Sequence, residues 1–139
     1  MNEVQSGGIS KWWSIMFFIA AAFNILAAVW SLLTPENTAL LMYGSKTALN
    51  NPAASINTTA FLVFVIIFGI GYAIVGKDPS KNRGIVWLGI MGKLYVFTAW
   101  GFYCKAGLVT STAFIGTSGD LIFSILFIIF LYKTREQTI

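Results

Sequence analysis

The chain has 139 residues, of which 57% are hydrophobic and 10% charged, with a formal net charge of +4 and no histidine. A soluble globular domain carries about 45–50% apolar and about 25% charged residues, so this composition excludes a soluble domain, a disordered chain and a nucleic-acid-binding module. Mean hydropathy is +0.77, and the length suits one compact unit, read as a single transmembrane domain over residues 1–139.

A membrane helix needs about 20 mostly apolar residues. Trp12 to Leu33 carries no charge, which predicts a first span over 11–34. Ser10 is placed to cap it, and Thr34-Pro35 ends it, because the residue before a proline is driven out of the helical region. Lys11 ahead of the run and Ala20-Ala21-Ala22 within it also fit a secretory signal. The run exceeds the roughly 7–15 residues of a signal core, so it reads as a retained span. Thr34, Pro35 and Glu36 then start a short helix in the 35–57 stretch. That helix lies on the membrane surface or caps the bundle, as passive cover or as a gate. The stretch also holds Leu40-Leu41-Met42-Tyr43 and Asn50-Asn51-Pro52. Asn57-Thr58-Thr59 matches a glycosylation sequon but abuts a span and reads as chance.

No charge occurs from Thr47 to Gly76, and the apolar part begins near Ala60, giving a second span over 58–76. Gly76-Lys77-Asp78-Pro79 stops it. Asn82-Arg83-Gly84 opens a third span over 84–105, whose only internal charge is Lys93. Thr110-Ser111 caps a fourth over 111–132, whose only internal charge is Asp120. Lys133 and Arg135 suit its C-terminal end. The apolar runs are continuous, not alternating, and backbone groups in lipid must be satisfied internally. The fold class is therefore an all-α, integral membrane four-helix bundle. With four spans, the N-terminus, the 77–83 loop and the C-terminus share a side carrying Lys11, Lys77, Lys81, Arg83, Lys133 and Arg135. The other side has Lys46 and Lys105, and six cations against two predict both termini in the cytoplasm.

Three polar residues stand inside the spans: Asn24, Lys93 and Asp120. A charge at the bilayer centre costs about 2.5–3.5 kcal/mol by insertion scales, so such residues are paired, hydrated or both. At about 1.5 Å per residue, Lys93, Asp120 and Asn24 lie about 14, 18 and 20 Å from the cytoplasmic end. Equal depth on consecutive helices predicts a Lys93–Asp120 pair with Asn24 beside it. Gly89 and Trp100 lie on the Lys93 face. Gly116, Thr117 and Ser124 lie on the Asp120 face. Ala20, Asn24, Ala28 and Ser31 form one stripe. Small residues permit close helix approach, so these faces read as the interior and the Phe-rich faces as lipid-exposed. The pair either locks helix register or forms a ligand or ion site, since buried pairs need not stabilise. In a proton-coupled carrier Asp120 exchanges a proton under the influence of Lys93. In a ligand site Lys93 faces a carboxylate or phenolic oxygen.

Trp12, Trp13, Trp30, Trp87 and Trp100 fall mostly near span ends, as in an interfacial belt. Trp100, Tyr95 and Tyr103, with Tyr72 on the second span, are candidates to line a pocket for a flat lipophilic ligand such as a quinone. Thr117 and Ser124 are further candidates. Gly69 and Gly71 mark close packing or a kink. Cys104, the single cysteine, reads as a small apolar residue. No catalytic set, metal-ligand cluster, phosphate loop or dinucleotide fingerprint occurs, so no catalytic residue, metal or cofactor is expected.

Asp78-Pro79 followed by Gly89, Gly92 and Lys93, then Gly119-Asp120-Leu121 with Phe123 and Phe127, resembles small bacterial four-span inner-membrane proteins, some of them DoxX-like. The resemblance covers about the second half of the chain. It implies a four-helix bundle in a bacterial inner membrane. DoxX-like proteins are associated with quinone or thiol redox accessory roles, and the lone cysteine and missing histidine argue against a dithiol or haem version here. Three functions follow from the residues. One is a membrane protein that binds or transports a small lipophilic or anionic ligand, an ion or a proton at Asn24, Lys93 and Asp120. Another is a non-catalytic accessory subunit whose small-residue stripes receive a partner's helices or a second copy. The third is a lipid-active enzyme. The bilayer is the one partner that all three share.

Overall fold

The computed structural model describes residues 9–135. In chain order the elements are α1 (Lys11–Leu33), α2 (Pro35–Tyr43), a 3-10 turn (Lys46–Asn50), α3 (Pro52–Lys77), α4 (Arg83–Lys105), α5 (Ser111–Gly116) and α6 (Ser118–Lys133). Lys11–Leu33, Pro52–Lys77, Arg83–Lys105 and Ser111–Lys133 are each long and apolar enough to cross a membrane. The chain is thus an all-α polytopic membrane protein.

Helix boundaries follow local chemistry. Ser10 Oγ accepts the Trp12 N–H at 3.3 Å and opens α1, which ends one residue before Thr34-Pro35. The second span starts at Pro52, not at 58. Asn51 Oδ1 accepts the Ala53 and Ala54 N–H groups at 3.0 and 3.3 Å, and Pro52 at the first helical position needs no donor. Hydropathy alone placed the start too late, because the first two turns of α3 are polar. Thr110 Oγ1 caps α5 by accepting the Ala113 N–H at 3.0 Å. The fourth span, expected as one helix, is two helices meeting at Thr117. Thr117 Oγ1 donates to the Phe114 carbonyl at 2.7 Å, and the Asp120 N–H reaches the Thr117 carbonyl at 2.9 Å. Gly116-Thr117-Ser118-Gly119 accounts for the break, since glycine lowers helix propensity and Ser/Thr side chains compete for backbone groups.

The spans form two antiparallel pairs, α1 along α3 and α4 along α6. Gly69 sets the first pair's spacing: a Cβ there would stand 2.6 Å from Ile25 Cγ1 and 3.2 Å from the Ala21 carbonyl oxygen. The pairs are joined by an aromatic plug near the 78–82 turn. Phe17 lies 4.9 Å from Phe127 and 5.0 Å from Phe130, centroid to centroid, and Tyr72 lies 5.0 Å from Phe127. Val75, Val86 and Ile90 complete this core. The expectation that phenylalanine faces meet lipid holds for Phe18, Phe64 and Phe102, which are exposed, and fails for Phe17, Phe127 and Phe130, which are fully buried. Lipid tails are as apolar as the side chains, so filling the gap between two helix pairs favours large flat rings. Ile, Leu and the exposed Trp12, Trp30 and Trp87 cover most of the rest of the outer surface. At the same end Arg83 donates to Leu131 O at 2.8 Å and Thr134 Oγ1 at 2.6 Å, so the cation capping α6 comes from the start of α4.

At the opposite end α2 is fastened on three sides. Thr38 Oγ1 donates to Ser31 O at 2.9 Å, Tyr43 Oη shares a hydrogen with Thr58 Oγ1 at 3.1 Å, and the Thr110 N–H donates to Met42 O at 2.9 Å. The Thr110 hydroxyl also donates to Leu41 O. Gly44, with φ 71°, ends α2 in the left-handed region. Lys46 Nζ lies 2.6 Å from Glu36 Oε2 and holds that carboxyl below its usual value of 4.5.

Two expectations follow. Gly69→Leu should destabilise the bundle by about 1–3 kcal/mol through overpacking, read as unfolding in mixed micelles, whereas Gly84→Leu, with nothing within 4 Å, should not. Because the Glu36 carboxyl is depressed on folding, its tie to Lys46 is present above the ordinary value of 4.5 and is lost as pH falls below it. Hydrogen-exchange protection of residues 36–46, corrected for intrinsic rate, should therefore drop on acidification and stay flat in Glu36→Gln.

Candidate functional site

Lys93 projects from mid-α4 toward α6 and α1. Its Nζ lies 2.6 Å from Asp120 Oδ1 and 3.1 Å from Asn24 Oδ1. Asn24 Nδ2 in turn donates to the Val65 carbonyl of α3 at 3.3 Å. Depth matching thus brings together the residues that sequence position selected, and all four spans meet at one polar centre. The Lys93 side chain is 4% exposed and the Asp120 side chain 20%.

The local sequence explains how a charge is tolerated there. Gly89, one turn before Lys93, leaves room for Tyr72: a Cβ would stand 2.7 Å from Tyr72 Cε1. The rings of Tyr72, Phe123 and Phe23 surround Nζ at 5.4, 5.5 and 6.0 Å from their centroids, close enough for cation–π attraction. Asp120 sits in the first turn of α6, where the helix dipole favours a carboxylate. The helix break at Thr117 is what places that positive helix end at mid-span. Counter-charge, amide, ring faces and dipole together offset the desolvation of the pair.

Beyond this centre, away from the aromatic plug, lies a cavity of about 400 Å³. Asn24, Lys93, Asp120 and Tyr72 line its inner end, and Leu41 and Met42 of α2 line the outer end. Its size falls within the range of about 300–1,000 Å³ typical of small-molecule sites. Trp100 and Thr117 line it, although the Thr117 hydroxyl turns back to its own helix. Tyr95 lines it at the mouth, 67% exposed. Ser124 is not among its lining. It is fully buried one turn beyond Asp120, in the packed half, and donates to the Asp120 carbonyl at 2.8 Å. Tyr103 lines an adjoining groove with Tyr43 and Asn57. Cys104 is half-buried, 3.9 Å from Ser111 Oγ.

The cavity is open at its sides: Ala27 of α1 and Gly116 of α5 are exposed and line it on one side, and α3 and α4 bound it on the other. Helices α3 and α4 touch where Gly92 meets Phe68, whose Cζ would be 3.6 Å from an added Cβ. They touch again where Phe61 meets Trp100 at 5.9 Å between centroids. Between these contacts Phe64 and Tyr95 are 62% and 67% exposed and both line the cavity. The seven-residue step from Phe61 to Phe68 separates these two contacts by about 10 Å at about 1.5 Å per residue.

Sequence reasoning missed Phe23, Phe61, Phe64 and the roof residues Leu41 and Met42. The Gly-Thr-Ser-Gly run was a legible sign of the helix break, and of the two placements expected for the helix begun at Thr34-Pro35-Glu36, on the membrane surface or capping the bundle, the structure has the second. Among the described residues no group of three His, Cys, Asp or Glu side chains comes together to hold a metal ion. Fold and site define a polytopic membrane protein with an ion-paired centre beside an apolar cavity. No family model matches the chain, and no curated protein or solved structure matches it.

Removing one charge should cost more than removing both. Asp120→Asn leaves an ammonium that is 4% exposed without a counter-charge, and a destabilisation of about 3–5 kcal/mol is expected for such a buried charge. Lys93→Met should be milder, since Asp120 is one-fifth exposed and sits at a helix start. The double variant Lys93→Met/Asp120→Leu should regain most of the loss. Additive single-variant effects, measured as unfolding free energies in mixed micelles, would sink the pairing argument.

Proposed function

We propose that the protein binds a small lipophilic ligand within the membrane, in the cavity between its two helix pairs. Lys93, Asn24 and Asp120 form the polar end of that site, and Trp100, Tyr72 and the roof of α2 form its apolar walls. One observation carries the reading: the Lys93–Asp120 ion pair borders open space instead of a filled interface. A pair that only fixed helix register would be best served by complete packing on every side, because voids in an interior forfeit contacts. Intramembrane ionisable residues that face a cavity are characteristic of substrate or ligand sites. The excess of Lys and Arg at the plugged end supports an orientation with that end in the cytoplasm. The resemblance of the second half of the chain to bacterial four-span proteins supports a bacterial inner membrane as its location.

The test is what copurifies. Protein extracted in mild detergent should retain an apolar compound in near-stoichiometric amount, detected by native mass spectrometry and solvent extraction. Val96→Trp, which fills the cavity from its wall, should lose it while keeping the helical circular dichroism of the parent. Identical extracts from the two proteins would end the reading.

A further inference from the structure

We infer that the ligand of this cavity carries an uncharged head with a hydrogen-bond acceptor, such as a ketone, ester or amide carbonyl, and reaches it sideways from the bilayer. The inference rests on the binding function proposed above and specifies its chemistry.

Charge is the first argument. Lys93 and Asp120 are the charged residues lining the cavity, and at 2.6 Å they cancel. An anionic head beside Lys93 would set a second negative charge next to Asp120 and leave the site with a net charge in hydrocarbon. A charge there costs several kcal/mol on the lower estimates, and like charges at close range add to it. A cationic head would face Lys93 with the same difficulty. A neutral acceptor changes no charge.

Donor arithmetic is the second. An ammonium has three N–H donors. Among the described residues Lys93 uses two, to Asp120 Oδ1 and Asn24 Oδ1. The third is left among aromatic rings at 5.4–6.0 Å, which attract a cation but accept no strong hydrogen bond. A carbonyl oxygen supplies the missing acceptor. Amide Nδ2 of Asn24 is held by Val65, so its oxygen stays aimed at Lys93 and does not compete.

The route is the third. The roof is fastened by hydrogen bonds from α2 to α1, α3 and the α4–α5 connection. The opposite end is closed by the aromatic plug. The openings lie on the helix sides, flanked by the exposed Phe64 and Tyr95 between α3 and α4 and by the exposed Ala27 and Gly116 between α1 and α5. A solute using either opening is dissolved in the bilayer, and the apolar lining suits its tail.

The experiment compares an ω-bromoalkyl methyl ketone with the ω-bromo fatty acid of equal length, titrated into the protein in lipid nanodiscs at about pH 9, where carboxylates ionise. Bromine quenches tryptophan on contact. Trp100 lies seven residues along α4 from Lys93, about 10 Å toward the roof, within reach of the tail's end. Its signal is the difference between the parent and Trp100→Phe at equal membrane loading. The ketone should quench Trp100 saturably, at a membrane concentration about tenfold or more below that of the acid, as a difference of about 1.4 kcal/mol or more requires. Lys93→Met should abolish the preference, and Lys93→Met/Asp120→Leu repeats the comparison with no charge left unpaired. Equal or tighter binding of the acid overturns the uncharged head and leaves the cavity reading intact. A ketone preference that survives both variants places the head elsewhere and overturns the inference. Quenching of Trp100 by neither probe overturns both.

Discussion

An ammonium and a carboxylate 2.6 Å apart inside the hydrocarbon layer draw their further partners from the protein or from what it encloses, because lipid offers none. That demand reaches all four spans. Lys93 on α4 needs Asp120 on α6 and Asn24 on α1, and Asn24 needs the Val65 carbonyl on α3. It also accounts for the glycine at position 89, which admits Tyr72 beside the lysine, and for the mid-span start of α6, which gives Asp120 a favourable helix end. The helix break is the less obvious part, because a continuous fourth span would leave Asp120 in a helix interior without that dipole.

The two halves of the bundle solve different problems. Near the 78–82 turn, Phe17, Tyr72, Phe127 and Phe130 fill the gap between the helix pairs, and Arg83 fastens the end of α6. In the other half small residues take over. Ala27, Ala28, Ala113 and Gly116 face one another across a cavity and not a core. Tyr72 lies at the boundary, packed on Phe127 on one side and lining the cavity on the other. The packed half is a filled core, and the open half leaves the space in which the ligand we propose would sit. The α2 cover closes the open half from above without filling it.

Much of this was legible in one dimension. Charge-free runs gave four spans because the bilayer sets a minimum apolar length, and Ser10, Pro35 and Thr110 fixed helix ends because caps and prolines act locally. Asn24, Lys93 and Asp120 could be matched by depth alone, since helical rise converts residue number into height. Asn51-Pro52 carried the true start of α3 and was outweighed by hydropathy. Ser124 was assigned to the site by its spacing from Asp120. Its face is right, but its height puts it in the packed half.

The sequence by itself determined that the chain crosses a membrane four times as helices and that two opposite charges lie at comparable depth, because hydropathy and helical rise are properties of single segments. Only the tertiary structure decided which faces fill with rings, where a void is left, that α2 roofs it instead of lying on the membrane surface, and which sides of it stay open. Those features depend on how four helices tilt against one another, and in lipid, where apolar faces are equally content with neighbours or acyl chains, residue pattern alone does not select that arrangement.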